Sequence, residues 1–390
     1  MSSILFTGAF RFPEGDAAAL RINNMIKILS PRFDNIIVAG WESESQNLID
    51  GEYYIYNNIK CYPQAELDKK IKKVHERIYS FIFKGMRTLS WIEEYISKNK
   101  LDVIVVYNPP AFFASKLNEF CKKNKIKLVL DSTEWYESDH LQMGRFGLPA
   151  LENYLRMNVI YPKFTNIISI SSFLDNYYLS QDVKNRFLLP ILVDGCSKFK
   201  KPEIKNQINF IYAGNLGKKD NIIQFIKFLP ELNSALNYSV FFNIAGVNSV
   251  ELEKLLGVND YKKIKNYVKC HGRINRNAVL DLYKISHFSI LFRDNLRYAK
   301  AGFPTKLVES WSNSTPVICN SVGDIALYAK HGENACVVES MNDVVVFLVN
   351  LLKNDMYSHM QGQCENTIEK HLSNSKFEHG LINFFNDLKF

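Results

Sequence analysis

Short apolar runs recur along the chain and alternate with amphipathic stretches. The runs lie at residues 4–7, 36–39, 103–107, 127–130, 167–170 and 187–191, and then at 210–213, 240–245, 268–271, 288–292, 316–319 and 336–338. Runs without polar alternation are typical of strands buried on both faces of a parallel sheet. The stretches between them follow helical spacing, as in Ala18, Ile22, Ile26 and Leu29. This alternation predicts a doubly wound α/β fold.

The pattern restarts near residue 208. In each half the first strand ends in a glycine, Gly8 or Gly214, before a polar loop and a helix. We therefore predict a Rossmann-like domain at residues 1–192, a second one at 205–372, and a final helix at 373–390 that packs across the domains. The carboxyl ends of the two sheets are expected to face each other across a cleft, because ligands of open α/β sheets bind at that edge.

Composition narrows the class of protein. The 390 residues are 47% hydrophobic and 23% charged, and Lys plus Arg exceed Asp plus Glu by 48 to 40, a net charge of +8. These values are typical of a globular protein, and the mild basic excess suits phosphate ligands or an anionic membrane surface. The seven cysteines form no C-x-x-C motif, so we expect no disulfide framework, no zinc site and a reducing cytoplasm. We expect neither a membrane-spanning helix nor a secretory leader.

The stretch 293–311 combines a tight turn, cations and a carboxylate between a strand and a helix. Free amides at residues 305–307 and the helix dipole would attract an anion there. A carboxylate one turn further into the helix suits two ribose hydroxyls. The combination predicts a site for a diphosphate carried by a ribose, and the alternative is a proline-initiated helix with a solvated lysine. The residues concerned are Arg293, Gly302, Phe303, Pro304, Thr305, Lys306 and Glu309.

Two further loops have features of phosphate-binding loops. Residues 213–220 place glycines at a strand end and then Lys218 and Lys219. Because neither G-x-G-x-x-G nor G-x-x-x-x-G-K-[ST] occurs there, the nicotinamide-dinucleotide and P-loop fingerprints are excluded for this loop. In the first half, Gly15 and Asp16 are expected at the start of a helix, as a ligand contact or as an ordinary helix cap.

Residues 130–140 contain three or more carboxylates, a histidine and two aromatic residues directly after a strand. Asp131, Glu134, Trp135 and His140 form a mixture typical of sugar sites, where a carboxylate acts as base or stabilises an oxocarbenium ion. The alternative is a capped helix entry with a core tryptophan. His271 also ends a strand, and it is expected either to meet a nucleobase or to be structural.

The second half resembles glycosyltransferase family 4, a group of retaining enzymes with the GT-B architecture. The order and spacing agree over about residues 205–340, and the first half agrees more loosely through residues 11–21 and 131–136. The matching segments are 210–217 (FIYAGNLG), 271–274 (HGRI), 288–293 (FSILFR), 301–310 (AGFPTKLVES), 315–320 (TPVICN) and 323–325 (GDI).

The resemblance implies transfer of a sugar from a nucleotide-diphosphate donor, with retention at the anomeric carbon. It implies donor binding in the second domain and acceptor binding in the first, a diphosphate held by Lys218 or Lys219, and a ribose held by Glu309. Asp131 and Glu134 are the catalytic candidates, as groups that orient the acceptor or stabilise charge. No metal or other cofactor is expected, because lysines and helix N-termini neutralise the diphosphate. The expected donor-binding residues are Gly15, Asn215, Lys218, Lys219, His271, Arg273, Arg293, Gly302, Phe303, Pro304, Thr305, Lys306 and Glu309. The expected acceptor-binding residues are Arg11, Asp16, Trp135 and His140.

Three positions depart from the family pattern. Ala301 stands where many members have a second glutamate, Asn215 where they have a basic residue, and Asp131 with Glu134 where many have a histidine. These departures leave open a sugar-nucleotide epimerase of the same shape and a non-catalytic partner subunit.

A basic amphipathic segment lies between Lys69 and Arg87. It carries seven Lys and Arg residues against the single acid Glu76, with apolar residues interleaved. Such a segment suits an anionic membrane face or is an ordinary lysine-rich surface helix. The first interpretation predicts a lipid-linked saccharide acceptor, as in surface polysaccharide synthesis on a polyprenyl carrier. It also predicts a cytoplasmic protein that is peripheral on the inner face of the plasma membrane. No nucleic-acid partner is expected, because no recognised module surrounds the patch.

Overall fold

The computed structural model describes residues 2–13, 17–43, 48–67, 73–197, 201–217, 220–236, 238–354 and 356–390. The chain divides into two compact units, Met1–Leu192 with Phe377–Phe390, and Val193–Lys376. Within the described ranges, no helix has the length and apolar character needed to cross a membrane.

The first unit is built on a sheet whose strands are parallel except at one edge. Its strands are β1 (Ser3–Gly8), β2 (Asn35–Gly40), β3 (Tyr54–Tyr56), β4 (Ile59–Cys61), β5 (Val103–Tyr107), β6 (Lys127–Ser132), β7 (Asn166–Ser169) and β8 (Asn185–Leu188). Their order in the sheet is β3-β4-β2-β1-β5-β6-β7-β8, and β3 pairs antiparallel with β4. The helices are α1 (Ala17–Leu29), α2 (Val74–Ile82), α3 (Met86–Lys98), α4 (Ala111–Asn124), α5 (Leu148–Leu155) and α6 (Ser172–Ser180).

The second unit has a fully parallel sheet in the order β11-β10-β9-β12-β13-β14. This is the doubly wound order, in which the chain reverses direction across the sheet between β9 and β12. The strands are β9 (Gln207–Ala213), β10 (Ser239–Ala245), β11 (Val268–Cys270), β12 (Phe288–Leu291), β13 (Val317–Cys319) and β14 (Ala335–Val337). The helices are α7 (Ile223–Leu236), α8 (Ser249–Leu256), α9 (Val258–Ile264), α10 (Arg276–Ile285), α11 (Arg297–Ala301), α12 (Thr305–Ser312), α13 (Ile325–Tyr328), α14 (Met341–Asn354) and α15 (Tyr357–Thr367). The last helix, α16 (Asn374–Asn386), belongs to the first unit from Phe377 onward.

The predicted fold class is confirmed, and every predicted apolar run overlaps a strand. The central strands are mostly apolar because helices cover both faces of each sheet, and every residue of β1 and β12 is buried. The pattern missed the β3–β4 hairpin, whose strands are three residues long and largely half-buried or exposed.

The last helix, α16, contributes to the core of the first unit. Leu381, Phe384 and Phe385 are buried in the same cluster as Ile4 and Phe6 of β1. The amino-terminal sheet is therefore covered by residues from the far end of the sequence.

Candidate functional site

A buried carboxylate gathers two cations at the carboxyl edge of the second sheet. Lys306 Nζ lies 2.7 Å from Asp220 Oδ2, and Arg293 Nε lies 3.1 Å from Asp220 Oδ1. The hydroxyl of Tyr212 donates to Asp220 Oδ2 at 3.0 Å. The side chain of Asp220 is only 3% exposed. Burial raises the pKa of Asp220, but Lys306 and Arg293 outweigh it, so its pKa is lowered. Two cations against one carboxylate leave a local charge of +1, which favours an anionic ligand.

The topology explains why these side chains meet. Tyr212 belongs to β9, Arg293 follows β12, Asp220 precedes α7 and Lys306 lies in the first turn of α12. The edge between β9 and β12 is the point of strand-order reversal, where open α/β sheets bind ligands.

Two glycines let the strand ends approach closely at this edge. A Cβ at Gly214, where φ is +154°, would lie 2.5 Å from Lys306 Cε. A Cβ at Gly246, where φ is +109°, would lie 2.4 Å from the carbonyl oxygen of Gly214. At Gly246 the near atoms are backbone, so only glycine has room there. At Gly214 the Lys306 side chain can move, and the positive φ is what favours glycine.

In the turn that leads into α12, a ligand would contact backbone groups more than side chains. Phe303 and Pro304 are buried, and Phe303 packs edge-to-face on Tyr328. Their side chains belong to the core, so the donor contacts predicted for Phe303 and Pro304 stay predictions that rest on their backbone. The amide of residue 307 is also excluded, since it donates to the Pro304 carbonyl at 3.0 Å. Gly302 and Thr305 are half-buried at the start of the helix.

Glu309 lies one turn further along α12 and is half-buried. Burial raises its pKa, while Arg276 and Lys306 act in the opposite direction. Arg276 is the first residue of α10 and was not predicted. A carboxylate at this depth, with cations nearby, is able to accept hydrogen bonds from ligand hydroxyls.

The other residues predicted to bind the donor differ in their contacts and exposure, and some lie outside the described residues. His271 Nε2 is 3.0 Å from Asn243 Oδ1, and burial together with Lys269 lowers the histidine pKa, so the ring is neutral at pH 7. Arg273 and Asn215 are exposed, and the Asn215 carbonyl accepts the Tyr212 hydroxyl at 2.9 Å. Lys218, Lys219, Gly15 and Asp16 lie outside the described residues.

In the first unit, Asp131 is bound by an arginine. Arg21 contacts both carboxylate oxygens of Asp131, at 2.7 Å from Nη2 and 2.9 Å from Nε, and also donates to the carbonyls of Leu189 and Pro190. Asp131 and Arg21 are 0% and 3% exposed. The contacts of Asp131 are those of a structural ion pair, because the carboxylate is fully buried and both of its oxygens accept hydrogen bonds from Arg21. Its catalytic role stays a prediction.

Glu134 is the more accessible carboxylate of that segment. It is half-buried and accepts a hydrogen bond from the Tyr136 hydroxyl. Its negative charge, after burial itself, raises the pKa values of Tyr136 and Tyr107. Glu134 therefore lies among groups that remain protonated donors at neutral pH.

The remaining predicted acceptor residues divide into buried and exposed. Trp135 is 8% exposed and its ring lies 4.5 Å from that of Tyr177. It therefore belongs to an aromatic core, and its predicted sugar contact stays a prediction. His140 and Arg11 are exposed.

A polar network beside Glu134 was not predicted. Asn108, at φ +40°, bonds to the Thr133 amide and hydroxyl at 2.9 and 2.5 Å, and the Thr133 hydroxyl is 3.0 Å from the Tyr107 hydroxyl. Asn108 follows β5 and Thr133 follows β6, which are adjacent in the sheet. The available sequence signal was an asparagine directly after a buried strand.

The chain is similar to known proteins in part of its sequence and in its fold. Residues 196–366, less than half of the chain, match the family model of glycosyl transferases group 1. The structure is similar to sucrose-phosphate synthase from Thermosynechococcus elongatus, at TM-score 0.72 and 10% identity, covering 99% of this chain and 98% of that one. It is also similar to HepE from Anabaena in complex with UDP and glucose, at TM-score 0.65 and 12% identity, with both chains covered completely. The chain has the GT-B fold. A sequence search of curated proteins returns no match.

Proposed function

We propose that this protein is a retaining glycosyltransferase that uses a nucleoside diphosphate sugar as donor. The observation that carries the proposal is the group of Arg293, Lys306 and Asp220 beside Gly214. It lies within the segment that matches glycosyl transferases group 1. The complex of HepE with UDP and glucose supports uridine diphosphate as the first ligand to test.

Each part of the nucleotide of the donor has a proposed contact in the second unit. Arg293 and Lys306 bind the diphosphate, and the helix start at Thr305 adds amide donors and a favourable dipole. Glu309 accepts hydrogen bonds from the ribose hydroxyls. His271, whose pKa is lowered by burial and Lys269, is the proposed nucleobase contact. Lys218 and Lys219 remain proposed diphosphate contacts from the sequence.

The transfer step needs stabilisation of the leaving group. The bond between the anomeric carbon and the phosphate oxygen breaks, and an acceptor hydroxyl bonds to the same face of that carbon. The acceptor proton passes to the leaving phosphate. Arg293 and Lys306 stabilise the charge that develops on the diphosphate, so no metal ion is part of the proposal. Glu134 orients the acceptor in the first unit, together with the exposed Arg11 and His140.

We further propose that the acceptor is a saccharide or a lipid-linked saccharide in surface polysaccharide synthesis. The protein would then work in the cytoplasm, peripheral to the inner face of the plasma membrane. The basic segment between Lys69 and Arg87 supports this location; of its residues, Lys69 to Lys72 lie outside the described ranges.

The test is ligand binding by the full chain. Thermal unfolding and calorimetry with UDP, GDP, ADP and CDP should give one preferred nucleotide that raises the unfolding midpoint. Glu309→Gln should weaken the affinity for that nucleotide by roughly tenfold or more, as expected when charge-assisted hydrogen bonds of about 1.5–3 kcal/mol are lost. Glu339→Gln, at an exposed glutamate of the same unit, is the control.

Two results would contradict the proposal. If no nucleotide shifts the unfolding midpoint, the protein is not a nucleotide-sugar transferase. If a bound sugar nucleotide is released as an isomer instead of being transferred, the epimerase alternative replaces it.

A further inference from the structure

A carboxylate of the chain itself occupies the two cations of the proposed donor site. Asp220 Oδ2 lies 2.7 Å from Lys306 Nζ, and Asp220 Oδ1 lies 3.1 Å from Arg293 Nε. The same Oδ2 accepts a hydrogen bond from the Tyr212 hydroxyl at 3.0 Å. Each carboxylate oxygen of Asp220 therefore faces a cation, as the oxygens of a bound phosphate would.

A diphosphate bound to these cations would compete with Asp220. The side chain of Asp220 is only 3% exposed, so a phosphate in contact with Lys306 and Arg293 would lie against a buried carboxylate. Like charges at such a separation repel each other, most strongly where water is excluded. Binding of a diphosphate therefore requires that the carboxylate leave the cations.

Both cations have a second support that does not depend on Asp220. The backbone of Arg293 is held by Asn320, which accepts from the Arg293 amide at 2.9 Å and donates to the Arg293 carbonyl at 2.7 Å. Lys306 Nζ lies over the ring of Tyr212, 5.1 Å from its centroid, as in a cation–π contact. We therefore expect the two cations to stay near their positions when the carboxylate leaves.

The loop that precedes Asp220 borders open space. A Cβ at Gly217 would meet no atom within 4 Å, and Asn215 is exposed. Directly after Asp220 the chain is fastened to the sheet, because the Asn221 amide donates to the Phe292 carbonyl at 2.8 Å. We therefore expect the carboxylate to withdraw from the cations by a change confined to its own side chain and this loop.

We propose that Asp220 determines the affinity of this site for phosphate ligands, by occupying the two cations until a diphosphate displaces it. The inference rests on the proposed function for the identity of the ligand, a nucleoside diphosphate sugar. In the ligand-free protein Asp220 keeps Lys306 and Arg293 from binding other anions. After transfer, the return of the carboxylate to the cations favours release of the nucleoside diphosphate, and product release limits turnover in many enzymes.

The experiment is calorimetry of the full chain at neutral pH with inorganic pyrophosphate, UDP and uridine. Asp220→Asn should raise the affinity for pyrophosphate and for UDP by about tenfold, a factor that is ordinary for coupled binding events, because the ligand no longer has to displace a charge. The affinity for uridine, which carries no phosphate, should be the same in both proteins. Asp220→Glu keeps the charge and should restore the weaker binding of pyrophosphate.

Two further variants separate this competition from general effects of charge and stability. Tyr212→Phe removes a hydrogen bond to the carboxylate but no charge, so it should raise the affinity for pyrophosphate by a smaller factor, about threefold. Asp294→Asn removes the same charge from an exposed aspartate next to Arg293 and should leave that affinity unchanged. The unfolding midpoint of each ligand-free variant is measured in parallel. Asp220→Asn should be less stable than wild type and yet bind pyrophosphate more tightly.

An affinity for pyrophosphate that falls or stays the same in Asp220→Asn would overturn the inference. A fall would show that Asp220 positions the cations for the ligand, and no change would show that the phosphates bind elsewhere. If Asp220→Asn does not fold, the direction of the change in Tyr212→Phe decides. Binding of UDP or another nucleoside diphosphate to wild type tests the proposed function separately. Tighter pyrophosphate binding by Asp220→Asn, with no nucleoside diphosphate bound by either protein, would support this inference and contradict the glycosyltransferase proposal.

Discussion

Arg21 and Asp131 form a buried ion pair between residues that are far apart in the sequence. Removing one partner of such a pair leaves an uncompensated buried charge and costs about 3–5 kcal/mol. Asp131→Asn and Arg21→Met should each lower the free energy of unfolding by about that amount, measured by urea titration, and the double variant should cost less than the sum. Glu134→Gln, by contrast, should mainly lower turnover. If Asp131→Asn instead abolishes transfer at full stability, Asp131 is catalytic after all.

The ion pairs of Asp220 with Lys306 and Arg293 should make the stability of the second unit depend on pH. Its pKa is lowered by Lys306 and Arg293, so its stabilising contribution is present above the unfolded pKa of about 4 and is lost as the pH falls through the folded value. Asp220→Asn should lower the free energy of unfolding by about 2 kcal/mol at pH 7 and by less at lower pH. The measurement is the urea midpoint between pH 3 and 7. Asp294→Asn, at an exposed aspartate, is the control; a pH-independent loss for Asp220→Asn would refute the coupling.

Glu309 should show the opposite pH dependence. Burial raises its pKa in the folded protein, so the ligand-free protein loses stability as the pH rises from about 4.3 through the raised value. Ribose binding needs the ionised carboxylate, so affinity for a sugar nucleotide should rise over the same window. Glu309→Gln should remove both slopes, as followed by unfolding and calorimetry from pH 4 to 8. A variant that keeps the wild-type affinity profile would remove Glu309 from the ribose site.

At the scale of elements, the loops after β9 and β10 depend on close backbone contact. Gly246→Ala introduces a Cβ against the Gly214 carbonyl at a positive φ, which should lower the free energy of unfolding by about 1–3 kcal/mol. Gly217→Ala in the neighbouring loop meets no atom within 4 Å and should change stability by less than about 0.5 kcal/mol. Chemical denaturation of both variants checks this. Equal losses in the free energy of unfolding would show that the contact between Gly246 and the Gly214 carbonyl does not determine the stability of these loops.

The elements that sequence reasoning found and missed differ in burial. Central strands such as β1 and β12 are buried at every position and mostly apolar because both faces are covered. The hairpin β3–β4 is short and only partly buried, so its pattern resembles that of a loop. The single-turn helices at Ser138–His140 and Gly144–Phe146 are too short to show helical periodicity.

At the scale of the molecule, the end of the chain supports its beginning. Leu381 is fully buried against the core of the first unit, so Leu381→Ala should cost about 2–5 kcal/mol. Hydrogen exchange followed by mass spectrometry should show faster exchange in β1 and its neighbours than in β9 and β12. Phe390→Ala, at a residue 69% exposed, should leave exchange nearly unchanged. Equal acceleration in both units would mean that they unfold together.

The sequence by itself determined the fold class and the glycines that end the first strand of each half, because buried strands and tight turns impose local patterns on residue type. Only the tertiary structure decided how the polar side chains pair. Asp220 meets Lys306 across 86 positions, and Arg21 meets Asp131 across 110. Those distances along the chain are closed by the order of strands in each sheet, which no local spacing encodes. The same order placed Asp131, predicted as a catalytic candidate, in a buried ion pair with Arg21.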